Sequence, residues 1–205
     1  MNLQNELYRK IIHFLLILVP ILFSTLGKWP SLLIFGAVSA FVISLDYLRN
    51  DHPKIQNLFV KIFRPILRDH ELDGKKLCGA SWVGLATCIN FLFFREEIAV
   101  TAFTILVISD GLAALVGKSI PSQAFFEKSL SGAAAFFISG FIVILICGGI
   151  FHCRFWFYLI GLFALFCVTI IESRPSLFKI DDNFTIPIGF SLIMTFFDIV
   201  WNYNY

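Results

Sequence analysis

Apolar residues in this chain of 205 residues gather in seven long runs, at about 8–26, 31–48, 79–94, 97–117, 130–151, 154–172 and 184–202. A helix needs roughly 20 mostly apolar residues to cross a bilayer, so each run is predicted to be a spanning helix. The third run is short. Tight connections join the third run to the fourth and the fifth to the sixth. The expected fold is an all-α polytopic integral membrane protein, one domain over 1–205, with no internal repeat and no low-complexity segment.

The longest polar stretch, 49–78, carries a pattern of its own. Ile55, Leu58, Phe59, Ile62, Phe63, Ile66 and Leu67 recur at helical spacing, with Lys61, Arg64 and Arg68 off that stripe. This predicts an amphipathic helix in the headgroup region, interrupted near Pro65 and held by apolar burial and by attraction to anionic lipid. Packing of the same stripe against the bundle is the plainer alternative.

Composition agrees with the pattern: 58% of residues are hydrophobic and 15% charged, against about half and a quarter in soluble domains. The five cysteines, Cys78, Cys88, Cys147, Cys153 and Cys167, lie in or beside apolar runs without metal-ligand spacing, and read as buried small hydrophobes. No convincing cleavage site follows the first run, which reads as a retained span.

Charge changes the picture more. With the N-terminus on one side, that side collects Arg9, Lys10, Arg49, Lys54, Lys61, Arg64, Arg68, Lys75, Lys76, Lys118, Lys128, Arg174 and Lys179, leaving only Lys28, Arg95 and Arg154 opposite. Basic residues concentrate on the cytoplasmic side of membrane proteins. The N-terminus is therefore expected in the cytoplasm and the C-terminus outside.

The polar residues of interest also sit at the cytoplasmic ends of the runs, which suggests a polar substrate handled at the membrane face. "LVISDGLAALVGKS" looks at first like a phosphate loop. However, five residues separate Gly111 from Gly117 where that loop has four, and no strand precedes it. A helix fits better, with Asp110, Ala113, Ala114 and Gly117 on one face. Close helix packing explains the small residues but not the acid, which needs a proton, a partner or a metal ion. In "EKSLSGAAAFF", Ser129 or Ser131 is placed to cap the fifth span. The free N–H groups of that start, with Lys128 and Gly132, suit phosphate. "KKLCGAS" repeats the device with Lys75, Lys76, Gly79 and Ser81. In "IDDNFTIPIGF", Asp181, Asp182 and Asn183 offer the hard oxygens that Mg²⁺ uses alongside phosphates, and Pro187 falls in the first turn of the seventh span. In "ELYRKIIH", Glu6, Arg9, Lys10 and His13 lie within two turns.

Taken together these stretches, with "LDYLR", Glu71 before "GAS", and Glu172 ahead of "DDNFTIP", resemble the dolichol kinase, phytol kinase and CTP-dependent diacylglycerol kinase family, itself distantly similar to phosphatidate cytidylyltransferases. The likeness runs in order along nearly the whole chain, which looks like a bacterial-type core. It departs at Ser119-Ile120-Pro121, where the family has a Gly-rich turn, and at Ala133, where the family has Ser. The resemblance implies transfer of the γ-phosphoryl group of a nucleotide, usually CTP, to a membrane alcohol with Mg²⁺. On that reading Asp110, Asp182, Asn183 and Glu172 are the candidate metal ligands. Lys118, Lys128, Gly117, Ser129, Gly132 and the start of the third span (Lys75, Lys76, Gly79, Ser81) hold the nucleotide together with Arg9 and Lys10. Asp110 or His13, with Glu6 nearby, serves the alcohol. The expected partners are a membrane lipid and a nucleotide, not a nucleic acid, and the expected place is the bacterial plasma membrane. The alternatives are a CTP:phosphatidate cytidylyltransferase and an ion-coupled transporter, which would need polar residues on both faces.

Overall fold

The computed structural model describes residues 11–64, 67, 71–72, 77–178 and 180–201. Among them every apolar run is helical. The first forms an apolar helix over Ile11–Leu26, broken by a turn at Leu16 and Ile17, with a regular second half, α1 (Leu18–Leu26). Then come α2 (Lys28–Leu48), the amphipathic α3 (Pro53–Phe63), α4 (Gly79–Phe93), α5 (Glu96–Ile105) and α6 (Gly111–Ser119). A five-residue π-helical turn, Leu106–Asp110, joins α5 to α6. α7 (Leu130–Ile150), α8 (Phe155–Glu172) and α9 (Asp182–Trp201) complete the bundle. Among the described residues five helices are long and apolar enough to cross a membrane, and Ile11–Leu26 and Gly79–Phe93 are shorter apolar helices.

The span Glu96–Ser119 is the centre of the bundle, two-thirds buried where the other spans are less than half buried. Phe23 stacks on Phe91 at 3.7 Å, and Phe91 meets Phe103 of the central span. Phe136, Phe157 and Phe190 bring α7, α8 and α9 into the same core. A buried amide in this core is satisfied: Asn90 donates to the Ala99 carbonyl at 2.8 Å and accepts from Ser191 at 2.6 Å. Outward-facing side chains such as Leu33, Phe41, Ile150 and Ile199 form an apolar perimeter, the surface a bilayer covers.

Three features differ from the sequence expectation. The fourth span is not one regular helix but carries the π turn. α9 begins at Asp182 because Asp181 caps it, its Oδ1 accepting from the Asn183 N–H at 3.0 Å and its carbonyl from Phe184. Pro187 therefore lies inside the helix, in its second turn, rather than in the first. A two-residue hairpin, β1 (Ala124–Phe125) with β2 (Lys128–Ser129), leads into α7. Its turn residue Phe126 has φ 57°, a conformation costly for a non-glycine residue, and is covered by the Arg174 guanidinium at 3.7 Å. The Glu127 N–H donates to Ser173 and its carboxylate accepts from the Ser176 hydroxyl, so the hairpin is tied to the loop before α9. The amphipathic stripe is a helix, α3, that ends at Phe63, ahead of Pro65. Phe59 is buried while Leu58, Ile62, Lys54, Lys61 and Arg64 face outward.

Candidate functional site

The acid of the central span is placed by the π turn. A π turn adds a residue to the helix and re-aims the segment beyond it, and such turns are common at functional positions. The first apolar helix packs closely here: a Cβ on Gly111 would lie 2.6 Å from Phe14. That approach brings His13 to the turn. Its Nε2 is 3.2 Å from the Leu106 carbonyl and 3.7 Å from Asp110 Oδ2. A carbonyl only accepts, so Nε2 carries the proton.

Facing Asp110 is Lys128, on the hairpin strand β2. It pairs closely with Glu172 at the end of α8 and lies 3.7 Å from Asp182 Oδ2 at the start of α9. Burial lowers the Lys128 pKa, but Glu172, Asp110 and Asp182 together outweigh it and hold the ammonium above its ordinary value. Four elements thus converge on one cation, and Glu172, 2% exposed, has its charge matched there. Lys118 ends α6 nearby and is exposed.

The start of α7 is built as its sequence suggests. Ser129 is the cap, its hydroxyl accepting from the Gly132 N–H at 3.2 Å. Gly117 and Gly132 let α6 and α7 touch, for a Cβ on either would press on Ser129 Oγ and on the other glycine's backbone. The strip Asp110, Ala113, Ala114, Gly117 thus receives α7 at its Gly117 end.

The start of α4 is built differently. Asp46 and Arg49, both buried at the end of α2, pair at 2.6 Å. Asp46 Oδ2 accepts from the Cys78 N–H at 2.7 Å and the Ser81 hydroxyl at 2.6 Å. Glu71 Oε1 accepts from the Gly79 N–H at 2.8 Å. Gly79 and Ser81, expected to face phosphate, are turned to these two carboxylates. Arg49 also donates to the Glu71 carbonyl at 2.8 Å and stacks over Phe59 of α3 at 4.5 Å. Glu6, Arg9, Lys10, Lys75 and Lys76 lie outside the described residues.

Two cavities meet at this cluster. One, of about 440 Å³, is lined mostly by apolar side chains of the first four helices, with Phe59, Phe63 and Leu67 on its α3 side. His13, Glu71, Asp110, Lys128, Asp182 and Asn183 are among its polar lining. The second, of about 510 Å³, is framed by the end of α6, the hairpin and the start of α7, with Gly117, Lys118, Ser129 and Gly132 on its wall. Lys128 and Ala114 line both. Among the described residues no three His, Cys, Asp or Glu side chains form a metal cage of their own. Sequence reasoning assigned no role to Asp46 or Arg49, although their i, i+3 spacing at the end of an apolar run was the available signal. Glu71 was given no role either, although it stands before "GAS" among the stretches that carry the resemblance; the fold carries it into the first cavity.

Fold and site together define an all-α integral membrane protein with a polar cluster where a cavity lined by large apolar side chains meets one framed by small and charged residues. Comparison with known proteins adds two relatives. The chain is 29% identical over 204 residues to an uncharacterized protein of Rickettsia prowazekii (strain Madrid E), covering 95% of this chain and 96% of that one. It is 25% identical over 217 residues to CTP-dependent diacylglycerol kinase 1 of Saccharomyces cerevisiae (strain ATCC 204508 / S288c), covering 93% of this chain and 73% of that one. No family model and no solved structure matches the chain.

Proposed function

We propose that the protein is a membrane lipid-alcohol kinase, moving the γ-phosphoryl group of CTP or another nucleoside triphosphate to a membrane-embedded alcohol, diacylglycerol or a polyprenol, at the cytoplasmic face. The observation that carries this reading is the meeting of the two cavities at Lys128. The first cavity accommodates hydrocarbon with a hydroxyl at its polar end, and the second, with Lys118, Lys128 and Ser129 on its wall, accommodates the phosphates. The two reactants then face each other across one fixed ammonium. Phosphoryl transfer asks a protein mainly for such positioning and for charge neutralisation.

Lys128 and Lys118 offer cationic contacts to the phosphates, and Gly117 and Gly132 keep that wall low. The donors also suit Mg²⁺ in its usual nucleotide mode, with one or two carboxylates and the remaining oxygens from phosphate and water. Asp110 and Asp182, with Asn183, would hold the ion, which would supply charge neutralisation at the transferring group. Glu172 holds Lys128. A transporter is less well supported, because Asp198, the acid far along α9, pairs with Arg95 at 3.3 Å.

The test uses membranes containing the chain, Mg²⁺, a panel of lipid alcohols, phosphatidate, and CTP or ATP labelled at the α or γ phosphorus. Label from the γ position in extracted lipid is expected, lost in Asp110→Asn while the variant still inserts. Label only from α-labelled CTP with phosphatidate would make the protein a cytidylyltransferase. No lipid label would overturn the proposal.

A further inference from the structure

Of the carboxylates lining the apolar cavity, Asp110 and Asp182 face Lys128. The third, Glu71, lines it from the α4 side. It is 3% exposed, and its carboxylate is oriented by the Gly79 N–H. Its backbone is fixed by Arg49, which is fixed in turn by Asp46. Glu71 Oε1 and Asn183 Nδ2 lie 3.7 and 3.2 Å from one point above Gly79, so the carboxylate borders the polar end of the cavity. A carboxylate held in place by a helix start at the wall of an apolar cavity is pre-positioned for a hydroxyl that enters there. His13 is poorly placed to take a proton through Nε2, which already carries one and donates it to Leu106.

We propose that Glu71 is a catalytic residue of the acceptor side, the carboxylate that orients the lipid hydroxyl and takes its proton; this rests on the kinase reading above. The alcohol oxygen forms a bond to the γ-phosphorus as the bond from that phosphorus to the β–γ bridging oxygen breaks. The nucleoside diphosphate leaves with the electron pair. The hydroxyl proton ends on the Glu71 carboxylate and passes from there to water. Arg49 and Asp46 are positioning residues acting through Glu71.

The experiment compares wild type with Glu71→Gln, which keeps an oxygen to cap Gly79 but loses the charge. Each is assayed with the lipid alcohol that the panel above labels and with an analogue of it bearing a trifluoromethyl group beside the hydroxyl, which makes that hydroxyl more acidic. A lost general base is expected to lower kcat about 100-fold or more. KM for the nucleotide is expected to stay within about threefold. The deficit is expected to shrink about tenfold on the fluorinated acceptor, because a more acidic hydroxyl needs less help. Wild-type-like kcat, a loss confined to nucleotide KM, or an equal deficit with both acceptors would overturn the role of Glu71 and leave the kinase reading standing. A wild type that labels no alcohol of the panel would remove both. If Glu71→Gln does not insert, Glu71→Asp, which keeps the charge, goes through the same pair of acceptors. A deficit that differs between them supports the role, and a uniform one overturns it.

Discussion

Replacing Gly117 by alanine tests whether the contact between α6 and α7 holds the hairpin lysine in place. The new Cβ would sit 2.7 Å from Ser129 Oγ and 3.3 Å from the Gly132 Cα. The hydroxyl can rotate away, but then it abandons the Gly132 N–H and the cap of α7, which costs about 1 kcal/mol. The backbone of Gly132 cannot rotate away, and wedging a methyl against it costs about 1–3 kcal/mol. Alanine in place of glycine within a helix returns about 1 kcal/mol. The net is a loss of about 1–3 kcal/mol. Gly36→Ala is the control, because a Cβ there meets nothing within 4 Å and only the helical gain applies. Thermal unfolding in detergent should lower the midpoint of Gly117→Ala by about 5 °C and leave Gly36→Ala equal to or above wild type. Lipid labelling should fall further than stability, because Ser129 adjoins Lys128. A Gly117→Ala protein as stable and active as Gly36→Ala would refute the packing argument.

Other outcomes rest on the same contacts. Arg49→Met strands Asp46 in the interior and should cost about 3–5 kcal/mol, read as loss of folded protein on heating, while Arg64→Met at the exposed end of α3 costs almost nothing. Lys128 is held above its ordinary value of 10.5, so its contribution is complete below that value and fades as pH rises through the higher folded one. The gap in unfolding midpoint between wild type and Lys128→Met should therefore stay level from neutral pH to about 10 and narrow above it. A gap that narrows between pH 7 and 9 would contradict the three-carboxylate environment.

The spans were legible because run length and hydropathy suffice to make a helix in lipid, wherever its neighbours lie. The Ser129 cap was legible because capping is settled within four residues. The face shared by Asp110 and Gly117 was legible for the same reason, since helical spacing holds between them from the end of the π turn onward. The π turn itself was not, because one added residue leaves an all-apolar run looking periodic. Nor was the pairing of Lys128 with Glu172, 44 residues apart, since nothing local distinguishes that lysine from a topology anchor. Gly79 and Ser81 show the opposite failure: the local pattern of a phosphate-binding helix start was present, and carboxylates from α2 and the following loop took the positions.

The π turn at Leu106–Asp110 also sets the angular phase of everything after it. Each residue advances a helix by about 100°, so a single added residue decides which way the whole next segment looks. A chain one residue shorter between Leu106 and Asp110 would keep the same composition, hydropathy and length class. Yet either the acid or the glycine beyond it would turn off its present bearing, and the segment could not both face Lys128 and seat α7. The span therefore tolerates substitution among apolar residues far better than it tolerates a change in count.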